Sequence, residues 1–249
     1  MAEPVETPLT GGNMGSVTRL GDEVLRPAGE WTPLVDRLLR AYADAGIDET
    51  PRVLGLTADG RERLSYLPGV VPSDPMPAWV WSDAVLADAA RLLRRLHDAS
   101  VRLVGESTAW RSPVREPVEV VCHNDFAPYN MVFSDGRLSG VIDFDYASPG
   151  PRFWDLAYLA YRLVPLTGWR DPLEPGTDLA RTERLSRLIE AYDVKCSAEE
   201  LLAVVVARLD ALADFSEAAA VRLGNPELAD HATGYRADAK RIASGRLAP

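Results

Sequence analysis

The stretch VVCHNDFAPYN, residues 120–130, runs from a short apolar strand through a polar loop into a second strand. Thirteen residues after Asn130, the hairpin that follows it ends at Asp143. A hairpin folds back on itself, so Asn130 at its start and Asp143 at its end are predicted to lie close together. Asp125 lies in the loop that leads into the hairpin. The sequence therefore predicts that these three oxygen-bearing side chains converge.

This set of side chains suits the chemistry of phosphoryl transfer. Magnesium prefers hard oxygen ligands and usually takes one or two carboxylates together with substrate phosphates. A carboxylate that holds no metal can orient the attacking hydroxyl and accept its proton. The kinase catalytic loop has the pattern H-R-D-x-x-x-x-N. His123, Asp125 and Asn130 reproduce its spacing, with Asn124 in place of the arginine.

Each of these residues alone also has a purely structural interpretation. Asp143 could end its strand in an Asx turn, and His123 could be a buried, hydrogen-bonded core residue. Two interpretations of Asp145 remain: it is either a carboxylate that supports the metal site or a solvated side chain. Only the joint pattern, on a strand, a loop and a hairpin, indicates a kinase fold.

Residues 122–159 resemble the aminoglycoside phosphotransferase family, which is itself similar to choline kinases and homoserine kinases of protein-kinase-like fold. The resemblance rests on H-x-D-x-x-x-x-N at 123–130, I-D-F at 142–144 and G-x-x-x-x-D-L-A at 150–157. It implies that Asp125 is the catalytic base and that Asn130 and Asp143 bind magnesium. It also implies that His123 and Asp155 support the catalytic loop.

The rest of the chain predicts an α+β, two-lobed protein-kinase-like fold. Residues 1–67 contain short strands with turns predicted at Gly21-Asp22 and Asp59-Gly60, and one helix predicted to have Thr32 as its N-cap and an apolar stripe from Leu34 to Tyr42. We expect them to form a small β-rich, nucleotide-binding N-terminal lobe. Four prolines between positions 68 and 77 exclude a helix or a central strand there, so 68–78 is predicted as hinge and linker. Residues 79–249 are predicted as the larger helical C-terminal lobe, with the catalytic loop and the acceptor site. Ser82 is predicted to cap its first helix, and Asp135-Gly136 is predicted as the turn of the hairpin.

The resemblance also implies nucleotide contacts in the first lobe. Gly12, Gly15 and Ser16 lie where the family has its phosphate loop, although the glycines do not form G-x-G-x-x-G. Backbone N–H groups there could cradle phosphates, and an ordinary β-turn is the alternative. The hinge residues expected to offer backbone groups to the adenine are Ser65, Tyr66 and Leu67.

Arg26 lies where the family has the lysine that contacts the nucleotide phosphates. Arginine is always charged and binds phosphate through a two-pronged fork, but it is longer and planar, so the exchange is not conservative. Either Arg26 does the work of the lysine, or the lobe has lost efficient ATP use and the protein binds rather than phosphorylates. Neither Glu30 nor Asp36 can be assigned as its acidic partner.

Composition and charge exclude several classes of protein. Of the 249 residues, 47% are hydrophobic and 26% are charged, which is typical of a globular chain and not of a disordered or collagen-like one. No apolar run is long enough to span a membrane, and the N-terminus lacks the features of a signal peptide. The net charge of −10 gives no basic stripe for nucleic acid. Two distant cysteines indicate a reduced, cytoplasmic setting.

Three functions remain open at this stage. The first is an ATP- and magnesium-dependent kinase that phosphorylates a hydroxyl of a small molecule, such as an antibiotic, a sugar or an amino alcohol. The second is a peptide-directed kinase. The third is a non-catalytic immunity or binding protein, because the residues around Arg26-Pro27 and Trp31-Thr32-Pro33 are loosely similar to trifolitoxin immunity-like proteins. The oligomeric state is not indicated.

The acidic excess bears on the acceptor, since a polycationic aminoglycoside would favour a negative pocket. Residues 1–150 carry 14 basic and 22 acidic side chains, a net charge of −8, whereas residues 151–249 carry 13 and 15, a net of −2. In the resembled family the acceptor pocket is lined largely by the catalytic loop and the later helices. The distribution of charge therefore weakens the case for an aminoglycoside.

Overall fold

The computed structural model describes residues 5–9, 17–73, 75–105, 109–168 and 178–247. The chain divides into two compact units. The first consists of Met1–Ser73, Arg95–Asp125 and Tyr129–Pro151, and the second of Asp74–Arg94, Phe126–Pro128 and Arg152–Pro249.

A five-stranded antiparallel sheet forms the N-terminal part of the first unit. Its strands are β1 (Thr7–Pro8), β2 (Thr18–Leu20), β3 (Glu23–Pro27), β4 (Val53–Leu56) and β5 (Arg61–Ser65), in the order β1-β2-β3-β5-β4. The predicted turns at Gly21-Asp22 and Asp59-Gly60 are both present, and each glycine has a positive φ. Strand β3 pairs with β5 so that Arg26 lies directly opposite Glu62.

Helix α1 (Thr32–Asp44) follows β3 and buries the predicted apolar stripe. Its buried apolar residues are Leu34, Val35, Leu38, Leu39 and Tyr42. The helix begins one residue earlier than the sequence predicts, with Trp31 at the N-cap. Thr32 does not cap the helix, because its hydroxyl accepts a hydrogen bond from the backbone N–H of Gly29 in the preceding loop.

Two strand pairs in the first unit carry the motifs at 123–130 and 142–144. Strand β6 (Val120–Cys122) pairs with β9 (Ser148–Gly150), and β7 (Met131–Ser134) pairs with β8 (Arg137–Val141). The predicted turn Asp135-Gly136 joins β7 and β8 with positive φ at both residues, as a tight hairpin requires. Because Cys122 pairs with Ser148, the loop after β6 starts next to the point where the loop before β9 ends.

The proline-marked segment after β5 runs against the β7–β8 hairpin. Val70 exchanges two backbone hydrogen bonds with Phe133, of 2.8 and 2.9 Å. Gly69, at φ 146°, makes this approach possible, since a Cβ there would lie 2.6 Å from the Phe133 carbonyl oxygen. This part of the segment is thus hydrogen-bonded to strand β7 of the hairpin.

The second unit is helical. It contains most of α2 (Asp83–Ser100) and all of α3 (Arg152–Leu163), α4 (Asp178–Tyr192), α5 (Ala198–Leu223) and α6 (Pro226–Ala243). Ser82 accepts a hydrogen bond from the Val85 N–H at the start of α2, as predicted for its cap. Ser197 and Glu200 form a capping box at the start of α5. Among the described residues, no helix is long and apolar enough to cross a membrane.

Candidate active site

The carboxylate of Asp125 accepts hydrogen bonds at both of its oxygens. The Tyr129 hydroxyl donates to Oδ1 at 2.5 Å, and Nδ2 of Asn130 donates to Oδ2 at 2.9 Å. All three residues belong to the loop between β6 and β7. Each carboxylate oxygen has two lone pairs, so each keeps one with which to accept a proton or a further hydrogen bond.

The side-chain amide of Asn130 is oriented by the same contacts. Its Nδ2 donates to the backbone oxygen of Asp125 and to the Asp125 carboxylate, both at 2.9 Å. Since an amide nitrogen has two N–H donors, both are used, and the amide oxygen remains as the free acceptor. The residue is 7% exposed.

Asp143 lies beside Asn130 because of the hairpin register. The N–H of Ile142 donates to the backbone oxygen of Asn130 at 2.9 Å. The next residue, Asp143, therefore lies at the start of the loop between β8 and β9. Asp143 has a φ of 65°, and its side chain is 48% exposed. The structure thus brings Asp125, Asn130 and Asp143 together within the first unit.

His123 joins the loop after β6 to the end of the β7–β8 hairpin. Its Nδ1 accepts the backbone N–H of Asp125 at 3.2 Å, so its Nε2 carries the proton and donates to the Ile142 oxygen at 3.0 Å. The ring is 3% exposed and lies 4.6 Å from the Phe144 ring, centroid to centroid. With both nitrogens occupied, His123 fixes the loops and has no free nitrogen for a substrate.

Asn124 replaces the arginine of the kinase pattern. It adopts a φ of 65°, a conformation that asparagine tolerates better than most residues. Its Nδ2 donates to the Tyr146 oxygen and to the Ser148 hydroxyl, both at 2.8 Å. Asn124 therefore ties the loop after β6 to the loop before β9.

Arg26 reaches from β3 to the same loops and contacts three carboxylates. Its Nε donates to Glu62 at 2.5 Å, its Nη2 lies 2.8 Å from Asp145 and its Nη1 lies 3.9 Å from Asp143. Burial alone would lower the pKa of Arg26, but the carboxylates of Asp145 and Glu62 raise it above its ordinary value. The Arg26 guanidinium is therefore positively charged and already paired with the carboxylates of Glu62 and Asp145.

Glu62 is the acidic partner of Arg26 that the sequence analysis did not assign. Its side chain is 1% exposed, and burial raises the pKa of Glu62 against the lowering effect of Arg26, with Asp36 of α1 adding to the rise. A signal was available in the sequence. Glu62 and Leu64 alternate with Arg61 and Arg63, so Glu62 shares the inward face of β5 and needs a cation.

Asp145 binds two arginines and is not a free, solvated side chain. Its Oδ1 faces Arg26 and its Oδ2 accepts from Nη1 of Arg111 at 3.2 Å. The Arg111 guanidinium lies between two aromatic rings, 4.3 Å from the centroid of Trp31 and 4.5 Å from that of Tyr146. Cation–π contacts of this kind hold the guanidinium in one place. Nothing in the sequence motifs pointed to Arg111.

The other predicted contacts are placed as follows. Gly12, Gly15 and Ser16 lie outside the described residues. The N–H groups of Ser65 and Tyr66 are bonded to the oxygens of Arg52 and Asp22, both at 2.8 Å, so they are committed to the sheet rather than to a ligand. Leu67 lies against Gly140 of β8. Asp155 is fully buried near the start of α3, in the second unit.

The donor set fits a magnesium ion. Asn130 offers its amide oxygen, since both N–H groups of the same amide are already used, and Asp143 offers a half-exposed carboxylate. Both are hard oxygen ligands, and their loops are joined by the backbone hydrogen bond from Ile142 to Asn130. Magnesium usually takes only one or two protein oxygens and keeps several waters and phosphates. Asp125, held by Tyr129 and Asn130, remains separate as a proton acceptor.

Comparison with known proteins agrees with this architecture. Residues 106–194 match the model of the phosphotransferase enzyme family, APH. The trifolitoxin immunity protein of Rhizobium leguminosarum bv. trifolii is 37% identical over 148 residues, covering 57% of this chain and 55% of that protein. The chain thus spans about half the length of this curated relative.

Two solved structures illustrate the fold. A choline/ethanolamine kinase family protein from Mesorhizobium loti has a TM-score of 0.64 at 19% identity, covering 96% of this chain and 87% of that chain. The ADP-bound aminoglycoside phosphotransferase APH(2'')-Ib has a TM-score of 0.61 at 14% identity, covering 97% and 95%. The predicted protein-kinase-like fold, and the resemblance on which it rested, are confirmed.

Proposed function

We propose that this protein is an ATP-dependent phosphotransferase that moves the γ-phosphoryl group to a hydroxyl of a small molecule. The observation that carries the proposal is the joint placement of Asp125, Asn130 and Asp143 in one compact unit, with Asp125 oriented by hydrogen bonds from Tyr129 and Asn130 that leave a lone pair on each of its carboxylate oxygens. The match of residues 106–194 to a phosphotransferase family supports it.

Each residue has a defined part in the proposed reaction. Asp125 orients the acceptor hydroxyl and takes its proton through the lone pairs left free on its carboxylate. Asn130 and Asp143 would hold magnesium, which when bound offsets the charge of the transferred phosphoryl group. His123 fixes the backbone of Asp125 and Ile142. We assign Asp155 a supporting role from the second unit.

In this scheme Arg26 holds the loop before β9, which carries the proposed magnesium ligand Asp143, and it also contacts the nucleotide phosphates. Its pairs with Asp143 and Asp145 connect strand β3 to the loop before β9. We keep Gly12, Gly15 and Ser16 as the proposed phosphate loop. The hinge residues proposed to lie beside the adenine remain Ser65, Tyr66 and Leu67, but the N–H groups of Ser65 and Tyr66 are bonded within the protein and do not donate to it.

The acceptor is proposed as a small hydroxyl compound of low positive charge. APH(2'')-Ib is an aminoglycoside phosphotransferase and the Mesorhizobium protein belongs to a choline/ethanolamine kinase family, so antibiotics and amino alcohols are both reasonable candidates. Residues 151–249 carry a net charge of only −2, which favours an amino alcohol or neutral compound over a polycation. The cytoplasm, where ATP is available, is the proposed location.

A second candidate is a binding or immunity protein that does not turn over ATP. One observation favours it: the Arg26 guanidinium already faces three carboxylates, so a phosphate must compete with them. The name of the Rhizobium relative is consistent with such a role. Against it, a pure binding protein has no need of a base beside two metal ligands.

ADP release from Mg·ATP decides between these functions. The purified chain is assayed with aminoglycosides, choline, ethanolamine, sugars and short hydroxyl-containing peptides, with Asp125→Ala as the inactive reference. Acceptor-dependent ADP release that Asp125→Ala lacks supports the kinase, and the active class separates small molecules from peptides. No ADP release from any acceptor, together with no thermal stabilisation by Mg·ATP, refutes the kinase.

A further inference from the structure

Tyr129 makes the shortest contact to the proposed base and is not among the motif residues. It lies four residues after Asp125, in the short 3-10 turn Pro128–Asn130. Its hydroxyl oxygen is 2.5 Å from Oδ1 of Asp125. An ionised carboxylate can only accept, so the tyrosine donates, and the distance is that of a strong, charge-assisted hydrogen bond.

The two donors on Asp125 approach different oxygens. Tyr129 holds Oδ1 from one side, and Asn130 holds Oδ2 while also bonding the Asp125 backbone oxygen. A carboxylate with one donor can still rotate about its terminal bond, since that torsion is broad. With a donor on each oxygen, the plane of the carboxylate is fixed and so are the directions of its free lone pairs.

We propose that Tyr129 is a positioning residue, which acts through Asp125 by holding its carboxylate in the plane that accepts the proton of the acceptor hydroxyl. This inference rests on the proposed function of Asp125 as base. Tyr129 itself loses no proton in the scheme: its hydroxyl hydrogen bonds Oδ1 before and after the transfer, and the acceptor's proton goes to a free lone pair of Asp125.

The test uses Tyr129→Phe, which removes the hydroxyl and keeps the ring, in the full chain with Mg·ATP. The acceptor is the compound that gives the highest ADP release among the aminoglycosides, amino alcohols and sugars. We expect kcat to fall roughly ten-fold, because small misplacements of a reacting group are costly. KM for ATP should stay within about two-fold, since this contact orients the base and not the nucleotide.

Two further variants separate orientation from packing. Tyr129→Ala should lower kcat about as much as Tyr129→Phe, because both lose the donor. If packing of the ring were the cause, Tyr129→Phe would keep the wild-type kcat and only Tyr129→Ala would lose it. Tyr235→Phe, a buried tyrosine on α6 in the second unit, serves as the matched control and should leave kcat unchanged.

The contact itself is checked by a double-mutant cycle of thermal unfolding with Tyr129→Phe and Asp125→Ala. Melting-temperature shifts that do not add support the hydrogen bond, and additive shifts overturn it. Wild-type kcat in Tyr129→Phe, with Asp125→Ala inactive, refutes the role of Tyr129 alone. Turnover that survives in Asp125→Ala, or no ADP release from the wild-type chain, refutes the proposed function and this role with it.

Discussion

Glu62 faces Arg26 across the β3–β5 strand pair, and Nε of the arginine donates to its carboxylate at 2.5 Å. In this chain the acidic partner of Arg26 thus comes from the neighbouring strand and not from helix α1. Arginine can accommodate this arrangement because its fork can bind a carboxylate sideways through Nε and still present Nη groups to Asp145 and Asp143.

Removing Glu62 should destabilise the first unit. Glu62→Ala leaves the buried Nε–H of Arg26 without its acceptor, and we expect the free energy of unfolding to fall by about 2 kcal/mol in urea titrations. Glu23→Ala is the matched control on the same strand pair, because Glu23 forms an ion pair with Arg63 that is far more exposed than the Arg26–Glu62 pair. Its loss should cost less than about 1 kcal/mol. Equal losses in the two variants would contradict the special role of Glu62.

The stability gap between the wild type and Glu62→Gln should depend on pH. Burial raises the pKa of Glu62 in the folded state, and Asp36 adds to the rise, although Arg26 opposes it. A raised folded-state pKa contributes stability that is complete below the unfolded value, about 4.3 for glutamate, and is lost as pH rises through the folded value. The wild type should therefore lose stability relative to Glu62→Gln from acidic to neutral pH in urea unfolding. A wild type that gains stability relative to Glu62→Gln as the pH rises would contradict this sign.

Arg26 substitutions should separate charge from geometry at the nucleotide site. Arg26→Ala should raise KM for ATP many-fold if the guanidinium contacts phosphate, as the proposed function requires. Arg26→Lys restores one positive charge but cannot bind Glu62 and Asp145 together through separate nitrogens, so we expect only partial recovery. An ATP titration of ADP release measures both variants, and an unchanged KM in Arg26→Ala would exclude the phosphate contact.

Asp125→Ala should abolish turnover while leaving nucleotide binding nearly intact. A general base contributes about 10²- to 10⁴-fold, so the loss should appear in kcat. In the proposed reaction the carboxylate contacts the acceptor hydroxyl and not the nucleotide. Thermal stabilisation by Mg·ATP should thus match the wild type. Full activity in this variant would remove Asp125 from the mechanism.

Asp143→Asn should weaken the effect of magnesium on nucleotide binding. Replacing a charged ligand by a neutral one lowers the affinity for a hard divalent cation, so ATP should stabilise the variant little more with magnesium than with EDTA. Asp135→Asn, in the turn at the other end of the same hairpin, is the control and should behave as the wild type. Equal magnesium dependence in both variants would reject Asp143 as a ligand.

The part of the site that could be predicted from the sequence is the part that local structure determines. Asp125, Asn130 and Asp143 are connected by one loop and one hairpin, and the Asp135-Gly136 turn sets the register that brings them together. Turns of this kind can be predicted from a single sequence, because they depend on a few residue types such as Asp and Gly at adjacent positions. The same holds for the apolar stripe of helix α1.

The contacts between distant segments could not be predicted in this way. Glu62 is 36 residues from Arg26, and their pairing depends on which strands lie side by side in the sheet. Arg111 reaches Asp145 from an irregular segment without periodicity. Strand β9 is the sequence Ser-Pro-Gly, which has low strand propensity and forms only because β6 lies beside it.

The burial of Arg26 divides the electrostatics of the site into two regimes. At ordinary ionic strength, dissolved salt largely screens the interaction between exposed charges that are more than about 10 Å apart. It weakens the interaction within buried pairs far less. Arg26 and Glu62 are 12% and 1% exposed, whereas the carboxylate of Asp143 is 48% exposed. Ionic strength therefore acts mainly on the approach of cations to Asp143. The pairs that Arg26 forms with Glu62 in the sheet and with Asp145 in the loop before β9, whose side chain is 18% exposed, are screened far less.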